Sequence, residues 1–375
     1  MTNTMTHRER FVSLFQGLPV DRAPFIDLMG VCNYRSCLPR WKREGLAAGA
    51  DVKEVQSIVG FDYARGFLLQ AKYLFYPEFD VEMIRRDGDK TFSRNRWGGI
   101  EIQKDDSEFM PLTLEGVVKD RKSWDAVKER LSAASVSSRF PSDFDDICLA
   151  AEQSGLPVYT GDLPAGFFGA PRELFGFNSL IYLFYDDPDL LHEVLDTLCD
   201  LWIEMMSYVQ QRVHLDYYFV WEDMCSKTGP MISPDMFREF LLPRYKRFTE
   251  RLRKGGCSHV MVDSDGDERL LVPLWMEGGV NIVLPWESQF GLDLMEVRRE
   301  YRTLGIAGGL NKRVLEFGRC EMDRELEKVP WLLESGYYIP SCDHGVTNDV
   351  SWDNYRYFYD KLREMIYKYT PGTGS

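Results

Sequence analysis

Several things are missing from this chain, and each absence removes a class of function. No segment approaches the ~20 uninterrupted apolar residues that a membrane-spanning helix needs. No long run of Lys and Arg is present, and the formal net charge is −14, so nucleic acid and anionic membrane surfaces are repelled rather than attracted. The eight cysteines are scattered without a C-x-x-C pair, which excludes a zinc ribbon and a thioredoxin-type redox motif. The sequence has no G-x-S-x-G, P-loop or H-E-x-x-H, so the familiar hydrolase, nucleotide and zinc-protease signatures are absent. The opening M-T-N-T-M-T-H-R-E-R is polar and lacks the apolar core of a secretion signal. With dispersed thiols and an acidic balance, this leads us to expect a cytoplasmic protein with reduced cysteines.

Other features are abundant. At 375 residues and 44% hydrophobic, the chain can bury a large core in a single domain. Short apolar runs alternate with longer amphipathic stretches. Strands are expected at 25–29, 61–65, 157–161, 217–221, 259–262, 280–284, 304–307 and 337–340. Helix starts are marked by Thr6 with Glu9, by Asp187 before Pro188 and by Ser233 before Pro234. A final helix begins near Ser351 and carries Tyr355, Phe358, Leu362 and Ile366 on one face. Repeated strand–helix units imply parallel strands, and eight of them imply an α/β fold of the (β/α)8 TIM-barrel type spanning 1–368. Such a barrel takes about 250 residues. The surplus falls between 66 and 156, after the second strand, where 80–85 and 99–103 are expected to form a small hairpin, followed by a polar helix around 124–131. Residues 369–375 are expected to be a disordered tail.

The chemistry is expected where the strands end, because ligands bind at the C-terminal ends of parallel strands. The stretch H-V-M-V-D-S-D-G-D turns from an apolar run into Asp263, Asp265 and Asp267. Other strands end in Asp162, in Glu222-Asp223, in Glu287, in Asn311-Lys312 and in Asp343-His344. Each of these has a plain structural reading as a cap, turn or ion pair. As a set, converging carboxylates must bind a metal, share protons or meet a cation. Of the five histidines, only His344 follows a strand's C-terminal end, where it could serve as general acid/base or as a ligand.

The stretches V-D-R-A-P-F (20–25), W-E-D-M with G-P-M-I-S-P (221–234), D-S-D-G-D (263–267), G-G-L-N-K-R (308–313) and G-Y-Y-I-P-S-C-D-H-G-V (336–346) resemble the uroporphyrinogen decarboxylase superfamily. The resemblance runs from about Arg8 to Arg363. It implies a distorted (β/α)8 barrel and one of two activities. One is cofactor-free decarboxylation of uroporphyrinogen. The other is methyl transfer involving corrinoids, coenzyme M or tetrahydrofolate, to which cobalamin-independent methionine synthase is related.

The chain departs from both types. Where the decarboxylases carry R-Q-A-G-R-Y, residues 30–39 read G-V-C-N-Y-R-S-C-L-P, leaving Arg35 as the candidate cation with Arg40 beyond it. Where the zinc methyltransferases carry H-x-C and a later Cys, the matching positions are Asp263, Asp265 and His344, with Cys342 offset by two. That set is harder and richer in oxygen, so the metal, if there is one, could be zinc or another divalent ion. The leading expectation is therefore a methyltransferase of a corrinoid-linked (cobalamin or tetrahydrofolate) demethylation pathway, with a corrinoid protein as partner and a homodimer as the superfamily's common assembly. Asp263, Asp265, His344 and Glu222 would be catalytic; Asp162, Asp223, Glu287, Asn311, Lys312 and Arg35 would bind substrate; and Asp263, Asp265 and His344 are the metal candidates. The alternatives are a carboxy-lyase acting on a porphyrinogen or smaller acid, and a non-catalytic tetrapyrrole- or corrinoid-binding barrel.

Overall fold

A computed structural model describes residues 5–28, 35–105 and 111–373. The strands, in chain order, are β1 (Phe67–Leu68), β2 (Glu82–Asp87), β3 (Lys90–Arg94), β4 (Ile100–Lys104), β5 (Leu112–Glu115), β6 (Val158–Gly161), β7 (Tyr217–Trp221), β8 (Cys225–Ser226), β9 (Gly229–Pro230), β10 (His259–Asp263), β11 (Ile282–Leu284), β12 (Gly305–Leu310) and β13 (Tyr338–Cys342). Seven of them make one sheet in the order β1-β6-β7-β10-β11-β12-β13, every pair parallel. Six of the seven match expected strands. The expected first strand contributes a single parallel bridge between Ile26 and Tyr63, and its end at 29 lies outside the described residues. The expected second strand is displaced: Phe67–Leu68, not 61–65, pairs with Val158–Tyr159.

Side chains alternate between the two faces of the curled sheet. Tyr217, Phe219 and Trp221 face one side, with Ile26, Tyr159, Met261, Ile282, Leu284, Ala307 and Ile339 in the same buried cluster. Tyr218 and Val220 face the other, against the outer helices. Ile339 of the edge strand β13 and Ile26 of the isolated bridge beyond β1 thus meet in one interior. Among the described residues no hydrogen-bonded ladder joins β13 to Ile26, so the structure is a curled seven-stranded half-barrel with an isolated bridge beside it.

The N-terminal ends of the strands are sealed by the first helix, His7–Phe15, which starts with the expected Thr6–Glu9 capping box. Its Phe11 ring lies 5.0 Å from Tyr217. A Cβ on Gly305 would fall 2.7 Å from the Phe15 ring, so only glycine lets that ring seat against β12. The V-D-R motif ties this end together. Arg10 binds Asp21 through two nitrogens at 2.7 and 2.8 Å, and Arg22 binds Asp62 through two at 2.6 Å. The expected caps Asp187, Ser233 and Ser351 also form, the first opening the long helix Pro188–Gln210.

The surplus between β1 and β6 is larger than a hairpin. It is a four-stranded antiparallel sheet in the order β2-β3-β4-β5. The two segments expected to pair are separated by β3, K-T-F-S-R, which bonds to both. Too polar to register as an apolar run, β3 is nonetheless the strand that completes the sheet. The polar helix forms as Arg121–Val127 and continues as a 3-10 turn, Lys128–Leu131. β5 leans on the helix Gly169–Phe175: Thr113 Oγ1 donates to Glu173 Oε2 at 2.6 Å and Val118 N to Leu174 O at 2.9 Å. Those contacts bring the inserted sheet beside the C-terminal ends of β6 and β7. The tail is docked further than expected, since Gly372 N donates to Leu333 O at 3.2 Å. Among the described residues no helix is long and apolar enough to cross a membrane.

Candidate active site

The open end of the curled sheet is bounded by sharply bent backbone. Within two residues of the ends of β6, β7 and β11, Asp162, Asp223 and Trp286 adopt φ of 95°, 43° and 59°. Non-glycine residues in this region cost of order 1–3 kcal/mol each, and they gather where the surroundings force a functional geometry. Gly308 and Gly309, at φ 96° and 79°, make the equivalent bend within β12.

At the centre of the mouth, His344 Nε2 lies 3.6 Å from Asp265 Oδ2. Burial disfavours the imidazolium, but the hydrogen bond and charge of Asp265 outweigh it, so His344 holds its proton above its ordinary 6.5. Asp263 ends β10 in register with Trp221 of β7 and Leu284 of β11. Burial, then the neighbouring Asp265 charge, holds its carboxyl well above the usual range, against the pull of Arg65 and His344. Asp265 thus sits between a carboxyl whose burial favours its protonated form and an imidazole whose proton it helps to hold.

Arg65 is the functional residue missed by the sequence reading. Its guanidinium lies 3.8 Å from Asp162 Oδ1 and 4.8 Å over the Phe219 ring, inside the mouth. Burial opposes its charge, but Asp162 and Asp263 are among the groups that keep it protonated. The signal was there, since Arg65 terminates one of the expected strand segments, but attention to carboxylates passed over the cation that answers them. Glu268 was also missed. It is 1% exposed, and neither carboxylate oxygen has a hydrogen-bond partner among the described residues. Burial first, then Asp265, Glu287 and Asp263, pushes it well up.

Other expected site residues serve the scaffold. Glu222 is not at the mouth. Its fully buried carboxylate accepts from Phe167 N (2.9 Å), Phe168 N (2.6 Å) and Gly169 N (3.0 Å), and from the Tyr245 hydroxyl. A Cβ on Gly169 would lie 2.3 Å from Trp221 O, so glycine is what lets this loop reach Glu222. Asp343 accepts from Ser288 N, Ser288 Oγ and Lys312 N. Glu287 accepts from Gly266 N at 2.8 Å and fixes the turn behind Asp265. Asn311 Oδ1 accepts from Arg313 N. Asp223 Oδ2 pairs with Arg172 Nη1 at 2.8 Å. The charge of Lys312 reaches His344. Arg35 is exposed and makes no ion pair within 4 Å among the described residues, while residues 30–34 of that segment lie outside them.

The family model for uroporphyrinogen decarboxylase (URO-D) matches residues 165–365, more than half of the chain. The chain belongs to this family. No curated protein matches the sequence. Among solved structures, a methyltransferase from Methanosarcina mazei is similar at TM-score 0.60 and 14% identity, over 96% of this chain and 99% of that one. A B12-independent methionine synthase from Shewanella sp. W3-18-1, in complex with selenomethionine, aligns at TM-score 0.36 and 11% identity over 84% of each chain. The first likeness establishes a shared fold.

In this uroporphyrinogen decarboxylase family chain, the donor set does not fit a resident metal. Among the described residues no three His, Cys, Asp or Glu side chains converge as a metal-holding group, so Asp263, Asp265 and His344 are neighbours rather than a ligand triad. Cys342 does not supply the missing ligand: it is fully buried, hydrogen-bonded to Tyr359, and burial pushes its thiol far up, away from thiolate.

Proposed function

We propose that this protein is a methyltransferase of a corrinoid-linked demethylation pathway, built on a distorted (β/α)8 barrel that the segments around Ile26 and Tyr63 complete. The observation that carries the reading is the His344–Asp265 pair beside the buried Asp263 carboxyl. Displacing an alkoxide or amide-like leaving group is slow unless it leaves protonated. In its protonated form, which the Asp265 carboxylate favours, His344 supplies that proton, and Asp263 in the protonated form that burial favours donates a second hydrogen bond. In this reading the methyl group moves from a substrate heteroatom to a corrinoid or tetrahydrofolate carrier, the C–heteroatom bond breaks, and His344 delivers its proton to the departing atom. Arg65 holds the negative charge that develops there. Asp162, Asp223, Glu287, Asn311 and Lys312 shape the mouth, and Glu222 holds the wall behind it. No step requires a protein-bound metal.

The test mixes the purified protein with reduced cobalamin and a panel of methoxylated arenes and methylamines, following methylcobalamin formation by its absorbance. Methylation that disappears in His344→Ala supports the reading. No methylation across the panel, with the protein folded, removes it. Arg65 favours a second reading, a carboxy-lyase, because a half-buried guanidinium at the mouth suits a substrate carboxylate. Release of CO2 from a porphyrinogen or a smaller acid would select that reading.

A further inference from the structure

His344 stands near the head of a loop, residues 343–351, that leads from β13 to the C-terminal helix Trp352–Lys368. Four side chains from one short stretch hold that loop along its length. Cys37 Sγ donates to Thr347 O at 3.1 Å, with Val346 O at 3.6 Å. Arg40 Nη1 donates to Asn348 O at 2.9 Å, and Trp41 Nε1 to Val350 O at 2.9 Å. Glu44 Oε2 accepts from Trp352 N at 2.8 Å. We propose that the helix Leu38–Arg43, with the residue on either side of it, is a positioning element for the candidate active site that sets where the His344 ring stands against Asp265. That His344 is the acid rests on the methyl-transfer reading; where its ring stands does not.

The grip follows from helical spacing. Positions 37, 40, 41 and 44 are three and four apart, so they share one face of the helix. Pro39 fits the first turn, where no intrahelical N–H is needed. Cys37 and Trp41 have no exposed surface, and the Trp41 ring lies 5.1 Å from Trp352 and 4.6 Å from Tyr355. Every one of the four side chains bonds to backbone, so the path of the loop is what they fix. Arg40, read from the sequence as a cation near the substrate, is engaged by Asn348 O and by Glu44 Oε1 at 2.7 Å.

The other side of His344 is anchored independently. Asp343 N donates to Leu310 O at 2.7 Å, and the Asp343 carboxylate accepts from Ser288 and Lys312. Only His344 and Gly345 separate that anchor from the Cys37 contacts, so the ring is carried between two fixed points. It has little slack. His344 Nε2 lies 3.6 Å from Asp265 Oδ2, whereas a charge-assisted hydrogen bond spans ~2.7–2.9 Å. A further displacement of about 1 Å takes the ring out of reach, and a misplacement of that size can cost on the order of 10²-fold in rate.

The test removes one donor at a time without changing charge. Cys37→Ala deletes the thiol, Cys37→Ser puts a hydroxyl donor in its place, and Trp41→Phe keeps an aromatic ring but loses the Nε1 proton. The readout is the His344 titration by imidazole NMR of the full chain, assigned by the signal missing from His344→Ala. The charges that act most on the ring, those of Asp265, Lys312 and Glu287, are the same in all three variants. In Cys37→Ala and Trp41→Phe the His344 midpoint should fall from its raised position toward 6.5, while Cys37→Ser should stay near wild type. Methyl transfer should slow about ten-fold in Cys37→Ala and recover in Cys37→Ser. Asp62→Ala, which weakens the opposite end of the sheet, should leave the midpoint in place, so lost stability alone does not imitate the effect. An unmoved midpoint in folded Cys37→Ala and Trp41→Phe overturns the positioning role, as does an equal shift in Asp62→Ala. A shifted midpoint in a protein that transfers no methyl group keeps the positioning role and removes the methyl-transfer reading.

Discussion

The two ends of the curled sheet use the same residue types to opposite effect. At the N-terminal end the buried and partly buried arginines are answered within the fold: Arg22 on Asp62, Arg10 on Asp21, Arg8 on Asp216 at 2.8 Å. His259, at the start of β10, is buried and pushed down to about 4 by desolvation alone, so it stays neutral. At the C-terminal end, Asp265 raises the proton affinity of His344, burial raises that of Asp263, Arg65 is only loosely paired, and non-glycine residues occupy strained backbone. Function is expected where the pairing is incomplete.

The strongest way to break this comparison is to remove the histidine at each end. His344→Ala should lower methyl transfer by roughly 10²–10⁴-fold with little change in the denaturation midpoint. His259→Ala should leave kcat intact. The wild-type rate should fall as pH rises through the His344 value, which lies above 6.5, and this descending limb should vanish in His344→Ala. The linked stability has the same sign, being fully present below 6.5 and lost as pH rises through the folded value. Equal rate losses in both variants would erase the distinction between the ends. Next in size, Asp62→Ala strands the buried Arg22 and should cost ~3–5 kcal/mol in urea denaturation, with kcat unchanged at a temperature where the protein stays folded.

Much of this contrast was legible before any coordinates. Six strands and the acidic tips after β6, β7, β10 and β11 were readable because buried parallel strands are short apolar runs, and their ends are abrupt. The two edge segments were harder. Phe67–Leu68 spans two residues, and the Ile26–Tyr63 contact is a single bridge, so neither leaves a periodic trace. β3 was hidden by its polarity. The site was legible as a location, not as a set of roles. Glu222 and Asp223 are adjacent in sequence, yet positive φ at Asp223 turns one carboxylate to the mouth's rim while the other is swallowed by three loop N–H groups. Arg65 closes an expected strand segment, but its place against Asp162 and Phe219 comes from long-range packing that the local pattern does not record.

Glu222 offers a sharper cut of intermediate size. Glu222→Gln replaces one acceptor oxygen with a donor facing N–H groups, and should cost ~1–3 kcal/mol of stability without reshaping the pH–rate profile. A hundred-fold loss of kcat at unchanged stability would instead return Glu222 to the catalytic set.

The smallest expected effect is the most discriminating. Asp263 has a folded pKa raised above its ordinary 3.8, chiefly by burial. The unfolded chain therefore releases this proton at a lower pH than the folded one, and the group's contribution to stability declines as pH rises from 3.8 toward the folded value. Asp263→Asn abolishes that titration. It should stabilise the protein by about 1 kcal/mol at pH 7 while slowing turnover, the trade expected of a strained functional carboxyl, and the gain should fade near pH 4. Urea denaturation at both pH values reads it. Destabilisation at pH 7 would mean that Asp263 is an ionised partner of Arg65. The mouth would then be stapled like the other end, and the contrast between the two would reduce to His344 and Asp265 alone.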